Sequence, residues 1–380
     1  MTATMTRPAI QVRDARTDDN ASLIALATAC PMDGDIALGI SRAPDFFALN
    51  RLEGAQWRLG VVEWPSLPGG DEIAGCVMGA VRMAYVRGQS RETLYAGDLK
   101  VHPAVRGVGV ADALTEWVVD VLADLGGDDA PMLVTVLAGN RAMERRTRGR
   151  GGAAAFTPVA TIRAFSIPLL WPRALRAQGD MRVSAATNAD VGEMAELWQR
   201  VAPGRQFAPV FDTDSMSAWI ADAPGLGIGD YRVARGSDGR ILGFIAWWDQ
   251  TVFKQSCVLR YSFRLAAARA ALNGLAGLSG GVRLPSIGEP LRYRTALHVC
   301  VPAGRPDVLR ALVRASCGEL RAERYAFATI GLDTRDPLCA AMAGLAAQPT
   351  DVNAYVLTPG GPYAGPPLDD RPLHYEIALV

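Results

Sequence analysis

A glycine-containing loop between a strand pattern and a helix pattern is the stretch whose residue types could do chemistry. Residues 94–101 alternate like a strand, and Pro103 ends it because proline cannot donate to a ladder. Arg106, Gly107, Val108 and Gly109 form the loop, after which apolar residues recur at helical spacing from Val110. Glycines let the backbone approach an anion closely, and a helix N-terminus offers free N–H groups and the positive end of a dipole. With Arg106 adding a charge-assisted contact, this arrangement predicts a phosphate-binding site.

Two common phosphate-binding motifs are excluded by the residues around this loop. No Gly-Lys-Ser/Thr sequence is present, as a P-loop would require. The loop also lacks the third glycine and the downstream acid of the dinucleotide fingerprint. A nucleotide-binding protein of either kind is therefore the weaker interpretation.

The run Val101-x-Pro103-x-x-Arg106-Gly107-x-Gly109-x-Ala111-x-x-Leu114 resembles the acyl-coenzyme A signature of the GNAT superfamily of N-acyltransferases. The resemblance implies that the loop holds the coenzyme pyrophosphate and that the preceding strand pairs through its backbone with the pantetheine arm. It also places an asparagine beside the cofactor, at the start of the helix that follows strand 132–137. The implied cofactor-binding residues are Leu99, Lys100, Val101, Arg106, Gly107, Val108, Gly109, Val110, Ala111 and Asn140.

The sequence departs from this family at one position that matters for chemistry. Seven residues after Asn140, where the family often has a tyrosine that protonates the departing thiolate, this chain has Thr147. A threonine hydroxyl is too weak an acid to take that role unaided. The general acid is therefore another residue, a water molecule or absent.

Two residues on the strand before the loop are the catalytic candidates. An acceptor ammonium must lose a proton before it attacks a thioester, and Asp98 is the best-placed carboxylate for that task. Its alternative role is a salt bridge with Lys100 or Arg82. Tyr95 is the second candidate, against a simple packing role, and we expect His102 to be structural because it lies toward the pyrophosphate end.

The segment 29–54 holds the candidate acceptor-binding residues. In the family, this part of the chain is a helix–helix region that roofs the acceptor pocket. By that resemblance, Asp33 and Asp35 would bind a cationic amine, Arg42 a carboxylate, and Phe46 an apolar group. A core position for Phe46 is an equally good interpretation.

The elements that must position these residues occur twice along the chain. The strand–helix pattern near residue 12 recurs near residue 183, an offset of 171, whereas Leu99 and Leu114 match Leu297 and Leu312 at an offset of 198. The extra residues of the second copy fall within 259–288, where an additional helix is predicted. We therefore predict an α/β (α+β) fold of two tandem GNAT-like units, residues 1–175 and 176–380, each a mixed, mostly antiparallel sheet flanked by helices. One large α/β domain with chance internal similarity is the alternative.

The second copy lacks the loop chemistry of the first. At an offset of 198, Arg106 corresponds to Gly304 and Gly109 corresponds to Asp307. A carboxylate at that position would repel a pyrophosphate, and the neighbouring Pro306 lacks a backbone donor. The second unit is therefore expected to have lost its cofactor site.

Composition limits the remaining function classes. The 380 residues include 39 basic and 39 acidic ones, so no basic surplus points to nucleic acid. Six cysteines without a C-x-x-C pair and only three histidines predict no metal site and reduced thiols in the cytoplasm. Neither an apolar run of membrane-spanning length nor an N-terminal apolar leader is found, so we expect no membrane association and no secretion.

The sequence therefore predicts an enzyme, an acyl-CoA-dependent N-acyltransferase. Acetyl-CoA is the favoured donor, another acyl-CoA the alternative, and the acceptor is a small-molecule amine or a peptide that attacks directly in the first unit. One alternative is long-chain transfer from acyl-CoA or from an acyl carrier protein, suggested by the apolar insert 265–278. A non-catalytic acyl-CoA-binding module is the other alternative, suggested by Thr147 and the altered second copy.

Overall fold

The structure is a computed structural model. It describes residues 10–65, 67, 72–127, 129–147, 156–169, 181–279, 281–358, 361–363 and 365–380, with only the backbone for 277–279, 361 and 362.

Within these residues the chain forms sixteen strands and seven α-helices. The strands are β1 (Val12–Asp14), β2 (Ile36–Ser41), β3 (Gln56–Glu63), β4 (Ile73–Val86), β5 (Gln89–Val101), β6 (Met132–Leu137), β7 (Thr157–Pro168), β8 (Arg182–Ala185), β9 (Ala208–Pro209), β10 (Tyr231–Arg235), β11 (Ile241–Trp248), β12 (Gln255–Tyr261), β13 (Tyr293–Cys300), β14 (Phe327–Asp333), β15 (Gln348–Thr358) and β16 (Gly361–Pro362). The α-helices are α1 (Asn20–Ala29), α2 (Val110–Gly126), α3 (Arg141–Thr147), α4 (Val191–Val201), α5 (Thr213–Asp222), α6 (Phe263–Ser279) and α7 (Pro306–Ala322).

One large sheet runs through the molecule and is mostly antiparallel. Its strand order is β1-β3-β4-β5-β6-β15-β7-β14-β13-β11-β10-β8, with β9 and β16 paired at the side. Only β5–β6 and β13–β14 are parallel pairs among these neighbours. A separate two-stranded ribbon joins β2 to β12. The predicted fold class, a mixed α/β structure with a mostly antiparallel sheet and flanking helices, is confirmed.

Counted inward from either edge of the sheet, the strands of the two halves follow one another in the same order. The innermost strand of each half, however, pairs with the other half. β7 follows β6 along the chain but pairs with β14, whereas β15 follows β14 but pairs with β6. β7 and β15 also pair with each other at the centre. Hydrogen bonds therefore cross the predicted boundary at residue 175 without interruption of the sheet.

Helices cover both faces of the sheet because their apolar residues fall on one side. In α2 the buried residues are spaced by four, and they pack against β4 and β5. Glycines on β4 permit this close approach: a Cβ on Gly75 would lie 2.9 Å from a Leu114 methyl carbon. Residues of α1, including Leu23 and Leu26, pack in a different core cluster, with Tyr95 and Leu133.

Strands β5 and β13 each contain a β-bulge, and the two bulges lie at equivalent positions of the two halves. The register of β5 with β4 shifts between Cys76 and Met78, opposite Asp98, whose φ is 55°. In the second half, the register of β13 with β11 shifts opposite His298, whose φ is 49°. The two bulges are thus 200 positions apart.

The offset of 198 predicted for these strands is therefore wrong by two residues, although it holds for the helices that follow. Val110 contacts the Cβ position of Gly75, and Val308 contacts that of Gly243 in the same way. The connection between strand and helix is consequently two residues shorter in the second half.

One predicted feature of the first half is wrong. The helix–helix region predicted within 29–54 contains strand β2 and two short 3₁₀ turns, at 46–48 and 50–52. Residues 374–380, at the other end of the chain, form a 3₁₀ turn at 377–379. In both segments the apolar residues pack against distant parts of the sheet, and that contact overrides the local pattern.

Candidate active site

The glycine loop connects β5 to the start of α2. A 3₁₀ turn at Pro103–Val105 follows the strand, and the loop then places Gly107 at φ 84° and Gly109 at φ 106°. Both values lie in the left-handed region, which favours glycine. Gly109 caps α2, a helix of seventeen residues. The loop residues predicted for phosphate binding are thus brought together at a helix N-terminus.

Strands β5 and β6 separate just before the loop. Their parallel register covers Leu94 to Ala96 on β5 and ends there, whereas the register of β5 with β4 continues to Val101. A wedge therefore opens beside Leu99, Lys100 and Val101, the residues predicted to bind a cofactor through their backbone. The bulge at Asp98 lies at the narrow end of this wedge.

Helix α3 lies beside the loop. The Asn140 side chain accepts a hydrogen bond from the Met143 N–H at 3.3 Å, so it caps the helix as predicted from its position. Arg146 of α3 forms an ion pair with Asp112 in the first turn of α2. Thr147 is buried and donates to the Glu144 carbonyl at 3.1 Å, which ties its hydroxyl to its own helix.

Asp98 is held between two cations. Its carboxylate forms ion pairs with Arg42 and with Lys100, and the Asn50 amide donates to it at 3.4 Å. Burial by itself would raise the pKa of Asp98, but the charges of Arg42 and Lys100 outweigh burial and hold that pKa well below its usual range. Such a carboxylate stays ionised at neutral pH and is a weak proton acceptor. Its role as general base therefore stays a prediction with little electrostatic support.

The four predicted acceptor residues fall into two separate groups. Arg42 is buried, donates to the Phe46 carbonyl at 2.7 Å and lies over the Phe46 ring at 4.3 Å. Arg42 thus links Phe46 to the Asp98 carboxylate, with which it forms an ion pair. Asp33 is exposed and pairs with Arg260 at 3.4 Å, and Asp35 accepts from Gln348 at 2.9 Å. Neither aspartate lines the large cavity described next.

A cavity of about 510 Å³ opens on the sheet face opposite α2. Tyr95 lies in its wall, with the Arg82 guanidinium 4.1 Å from the ring centre and paired to Glu53. Burial raises the pKa of Tyr95 well above its usual value, so the hydroxyl keeps its proton at neutral pH. Other walls come from both halves of the chain: Glu92, Phe211, Trp219, Asp222 and Glu376.

A buried polar network from the second half borders this cavity and has no local signal in the sequence. The backbone N–H of His298 donates to the Glu376 carboxylate at 2.9 Å, and His374 Nε2 lies 2.7 Å from the same oxygen. The Tyr231 hydroxyl lies 2.7 Å from His298 Nδ1. Burial lowers the pKa of His298 to about 4, so its ring is neutral near pH 7.

The corresponding wedge of the second half is filled by protein. Arg205 donates to the Val301 carbonyl at 3.2 Å and pairs with Asp336 at 3.1 Å. Residues 373–376 occupy the space between β13 and β14 and leave a cavity of only about 20 Å³. At the start of α7, the Asp307 carboxylate pairs with Arg305 at 2.7 Å. The part of this space that the structure describes is therefore occupied by side chains and backbone of the second half.

Two kinds of site are absent from the part of the chain that the structure describes. No group of three or more metal-ligating side chains occurs there. No helix in the same residues has the length and apolar character needed to cross a bilayer.

Comparison with known proteins gives matches in structure alone. No family model matches the sequence, and no curated protein matches it either. Saccharomyces cerevisiae N-myristoyltransferase with bound myristoyl-CoA superposes with a TM-score of 0.62 at 12% identity, over 93% of this chain and 80% of that one. A GCN5-related N-acetyltransferase from Sphaerobacter thermophilus superposes with a TM-score of 0.55 at 17% identity, over 93% of this chain and 97% of that one. A glucosamine N-acetyltransferase region of a fungal multi-domain β-N-acetylglucosaminidase superposes with a TM-score of 0.59 at 13% identity, over 93% of this chain and 38% of that one. The chain therefore shares its overall fold with these solved N-acyltransferase structures.

Proposed function

We propose that this protein is an acyl-CoA-dependent N-acyltransferase whose donor site lies in the first half of the chain. The observation that carries the proposal is the glycine loop at the start of α2, joined to an open wedge beside β5. The pyrophosphate of the donor would lie on Gly107, Gly109 and the first N–H groups of α2. The pantetheine arm would run along Leu99–Val101 and bring the thioester to the bulge at Asp98.

The oxyanion donor in this proposal is a backbone N–H at the β5 bulge, and the second half of the chain supports this role. At the equivalent position, the His298 N–H donates to the Glu376 carboxylate at 2.9 Å, so a backbone amide at this bulge binds an anionic oxygen. We propose that the Asp98 amide binds the thioester oxygen of the donor. A preorganised N–H aimed at developing negative charge stabilises the tetrahedral intermediate.

The acceptor would be an amine that enters through the 510 Å³ cavity, which lies within the usual size range of small-molecule sites. The neutral amine attacks the thioester carbon, a C–N bond forms, and the C–S bond breaks to release the CoA thiolate. Both the attack and the departure take place where Tyr95 and the Asp98 bulge approach each other. A small-molecule amine or a peptide N-terminus would fit this arrangement.

A short acyl group, acetyl first, is the donor we propose. The residues next to the bulge, Ala96 and Gly97, are small, but Tyr95 closes on them: a Cβ on Gly97 would lie 2.8 Å from the Tyr95 ring. The insert helix α6 packs on β12, a strand of the separate two-stranded ribbon, so we assign it no part in holding the acyl chain. None of the six cysteines, all of which lie within the described residues, forms a disulfide, as expected for the cytoplasmic location that we propose.

Calorimetry tests the donor site directly. The wild-type chain is expected to bind acetyl-CoA, and Gly107→Glu is expected to abolish binding because it places a carboxylate on the pyrophosphate. Gly127→Glu is the matched control. Gly127 also has a positive φ (80°), and a Cβ added there, as at Gly107, would meet no atom within 4 Å, but Gly127 lies at the other end of α2. Equal binding by all three chains would contradict the proposal.

Thiol release tests turnover separately. Wild-type protein with acetyl-CoA and a panel of amines should release free CoA faster than with acetyl-CoA alone. Binding without release for any amine would instead support the non-catalytic acyl-CoA-binding module. A strict preference for long-chain donors would contradict the acetyl assignment.

A further inference from the structure

His298 presents to the acceptor cavity a hydrogen-bonding atom that no described residue uses. The residue lies at the bulge of β13, is 1% exposed and lines the cavity of about 510 Å³. Its ring nitrogen Nδ1 lies 2.7 Å from the Tyr231 hydroxyl, whereas Nε2 has no hydrogen-bond partner among the described residues. A buried polar side chain with an unused atom beside a cavity marks a position for a polar group of a bound molecule.

The partner of Nδ1 determines which ring nitrogen carries the proton. Burial lowers the pKa of His298 to about 4, so the ring is neutral at pH 7 and carries one N–H. Tyr231 is fully buried, and within the described part of the chain its hydroxyl bonds to nothing but His298. Because a buried hydroxyl that does not donate is costly, Tyr231 donates to Nδ1 and the ring proton is on Nε2. His298 therefore offers an N–H donor to the cavity.

The Glu376 carboxylate lies next to His298 and lines the same cavity. One of its oxygens accepts from the His298 main-chain N–H at 2.9 Å and lies 2.7 Å from His374 Nε2, whereas the other has no partner in the described residues. Burial by itself would raise the pKa of Glu376, but the contacts with His374 and His298 outweigh burial and lower that pKa. One wall thus holds an N–H donor and an ionised acceptor as neighbours.

The surrounding walls suit a cation with an apolar face. The rings of Trp219 and Phe211 line the cavity, with centres 4.5 Å and 5.1 Å from that of His298. The exposed carboxylates of Glu92 and Asp222 line it as well, and neither has an arginine or lysine partner among the described residues. Aromatic rings pack on apolar surface and attract cations, and the carboxylates attract an ammonium group.

A hydroxyl group fits the wall of His298 and Glu376 better than a peptide group does. A hydroxyl donates and accepts at one oxygen, so it can bond to two protein groups that lie side by side. In a trans peptide group the N–H and the C=O point in opposite directions and reach groups on opposite walls. His298 and Glu376 are neighbours, joined by the main-chain hydrogen bond of 2.9 Å.

We propose that His298 and Glu376 select an acceptor amine that carries a hydroxyl group, an amino alcohol or amino sugar, an inference that rests on the function proposed above. His298 Nε2–H donates to the hydroxyl oxygen, and the hydroxyl donates to the Glu376 carboxylate. The amine of the same molecule then lies toward Tyr95, which lines the cavity from the first half of the chain. An acceptor without the hydroxyl leaves the buried N–H of His298 unpaired and is disfavoured.

Cyclic amines that differ by one hydroxyl give the first test. Thiol release with saturating acetyl-CoA measures kcat/KM for cyclohexylamine and for the aminocyclohexanols with the hydroxyl at carbon 2, 3 or 4. The wild type should prefer at least one amino alcohol, and His298→Phe should lower that preference about tenfold, because it removes the donor and keeps a ring. Comparing the two proteins cancels the difference in basicity between the amines. An equal preference in both would overturn the proposal.

Two further variants separate hydrogen bonding from structure. The side-chain amide of His298→Gln retains an N–H donor, so this variant should keep more of the preference than His298→Phe does. Glu376→Gln retains an oxygen for the His298 main-chain N–H but loses the charged acceptor, so its preference should also fall. Acetyl-CoA binding in calorimetry verifies that each variant is folded. A wild-type preference in Glu376→Gln, or one in His298→Gln as low as in His298→Phe, would overturn the assignment.

Nitrogen-15 nuclear magnetic resonance of histidine-labelled full-length protein gives a readout without turnover. The chain has three histidines, and the signals that disappear in His298→Gln belong to His298. Its Nε2 should have the chemical shift of a protonated nitrogen, and an aminocyclohexanol added with CoA should move that signal. A proton on Nδ1, or no response to any of the three isomers, would overturn the proposal.

The outcomes for the acceptor and for the proposed function are distinguishable. Absence of thiol release by the wild type with every amine would overturn the proposed function. Thiol release that is indifferent to the hydroxyl would overturn only the role of His298 and Glu376. A higher kcat/KM for glycylglycinamide than for all three aminocyclohexanols would also overturn that role, because the acceptor would then be a peptide.

Discussion

At the scale of single residues, Asp98 shows how one side chain can serve backbone geometry and charge together. Its φ of 55° lies in the left-handed region, which aspartate and asparagine tolerate better than most residues. Its carboxylate forms ion pairs with both Arg42 and Lys100. Asp98 thus sets the electrostatics of the proposed site even though it is a poor base.

Asp98→Asn is expected to lower the free energy of unfolding at pH 7 by about 3 kcal/mol, because it leaves buried cations without their anion. Asparagine retains the backbone conformation, so the loss reports charge. Denaturant unfolding measures it, and Asp112→Asn is the control, since the Asp112–Arg146 pair involves a carboxylate that is 52% exposed and should contribute less than about 1 kcal/mol. Equal losses in the two variants would contradict the prediction.

The pH dependence of the Asp98 contribution has a defined sign. Because the pKa of Asp98 is lower in the folded state than in the unfolded chain, its stabilisation is complete above about pH 4, near the ordinary carboxyl pKa. It is lost only as the pH falls further, through the folded-state value. The stability difference between wild type and Asp98→Asn should therefore shrink below pH 4. A difference that stays constant down to pH 2 would contradict this assignment.

At the scale of elements, the contact between α2 and β4 determines where the loop is held. Glycines on β4 let the helix approach, and a Cβ on Gly75 would lie 2.8 Å from the Lys100 carbonyl oxygen as well as against Leu114 and Val110. These contacts join the helix to the strand that borders the wedge. The position of the loop thus depends on a residue that has no chemistry itself.

Gly75→Ala should therefore cost about 1–3 kcal/mol of stability through overpacking and weaken acetyl-CoA binding at the same time. Gly318→Ala is the matched control: Gly318 lies within α7 and a Cβ there would meet nothing within 4 Å. That substitution should stabilise the protein by up to about 1 kcal/mol, because alanine is the better helix former. Thermal unfolding and calorimetry measure both effects, and a Gly75→Ala chain with wild-type stability would refute the packing argument.

At the scale of the whole molecule, strand exchange joins the two halves. β15 completes the sheet next to β6, and β7 completes it next to β14. The candidate site is shared in the same way, since Tyr95 comes from the first half and Trp219, His298 and Glu376 come from the second. The two units predicted from the repeat therefore share one sheet and one cavity.

Residues 1–175 expressed alone should fail to unfold cooperatively, because β7 would lose both its sheet neighbours and β6 would lose β15. Co-expression with residues 176–380 should restore a folded complex. The control is a full-length chain with a protease site at residue 175, cleaved after folding, whose pieces should stay together in gel filtration. A stable, cooperative 1–175 fragment would show that the first unit is independent.

The sequence by itself determined the loop and its flanking strand and helix, because these depend on local spacing: β6 and α2 begin at the predicted residues. The family resemblance at Arg106–Ala111 predicted the fold that the structural matches confirm. These features need only neighbouring residues to be recognised.

Only the tertiary structure decided which distant residues meet. The fit of Glu376 to His298 depends on a strand bulge. Strand pairing and bulges are set by packing across the sheet, and such non-local contacts leave no periodic pattern in the chain. The sequence therefore determined where a donor would bind, and the fold decided which groups surround the bond that would be made.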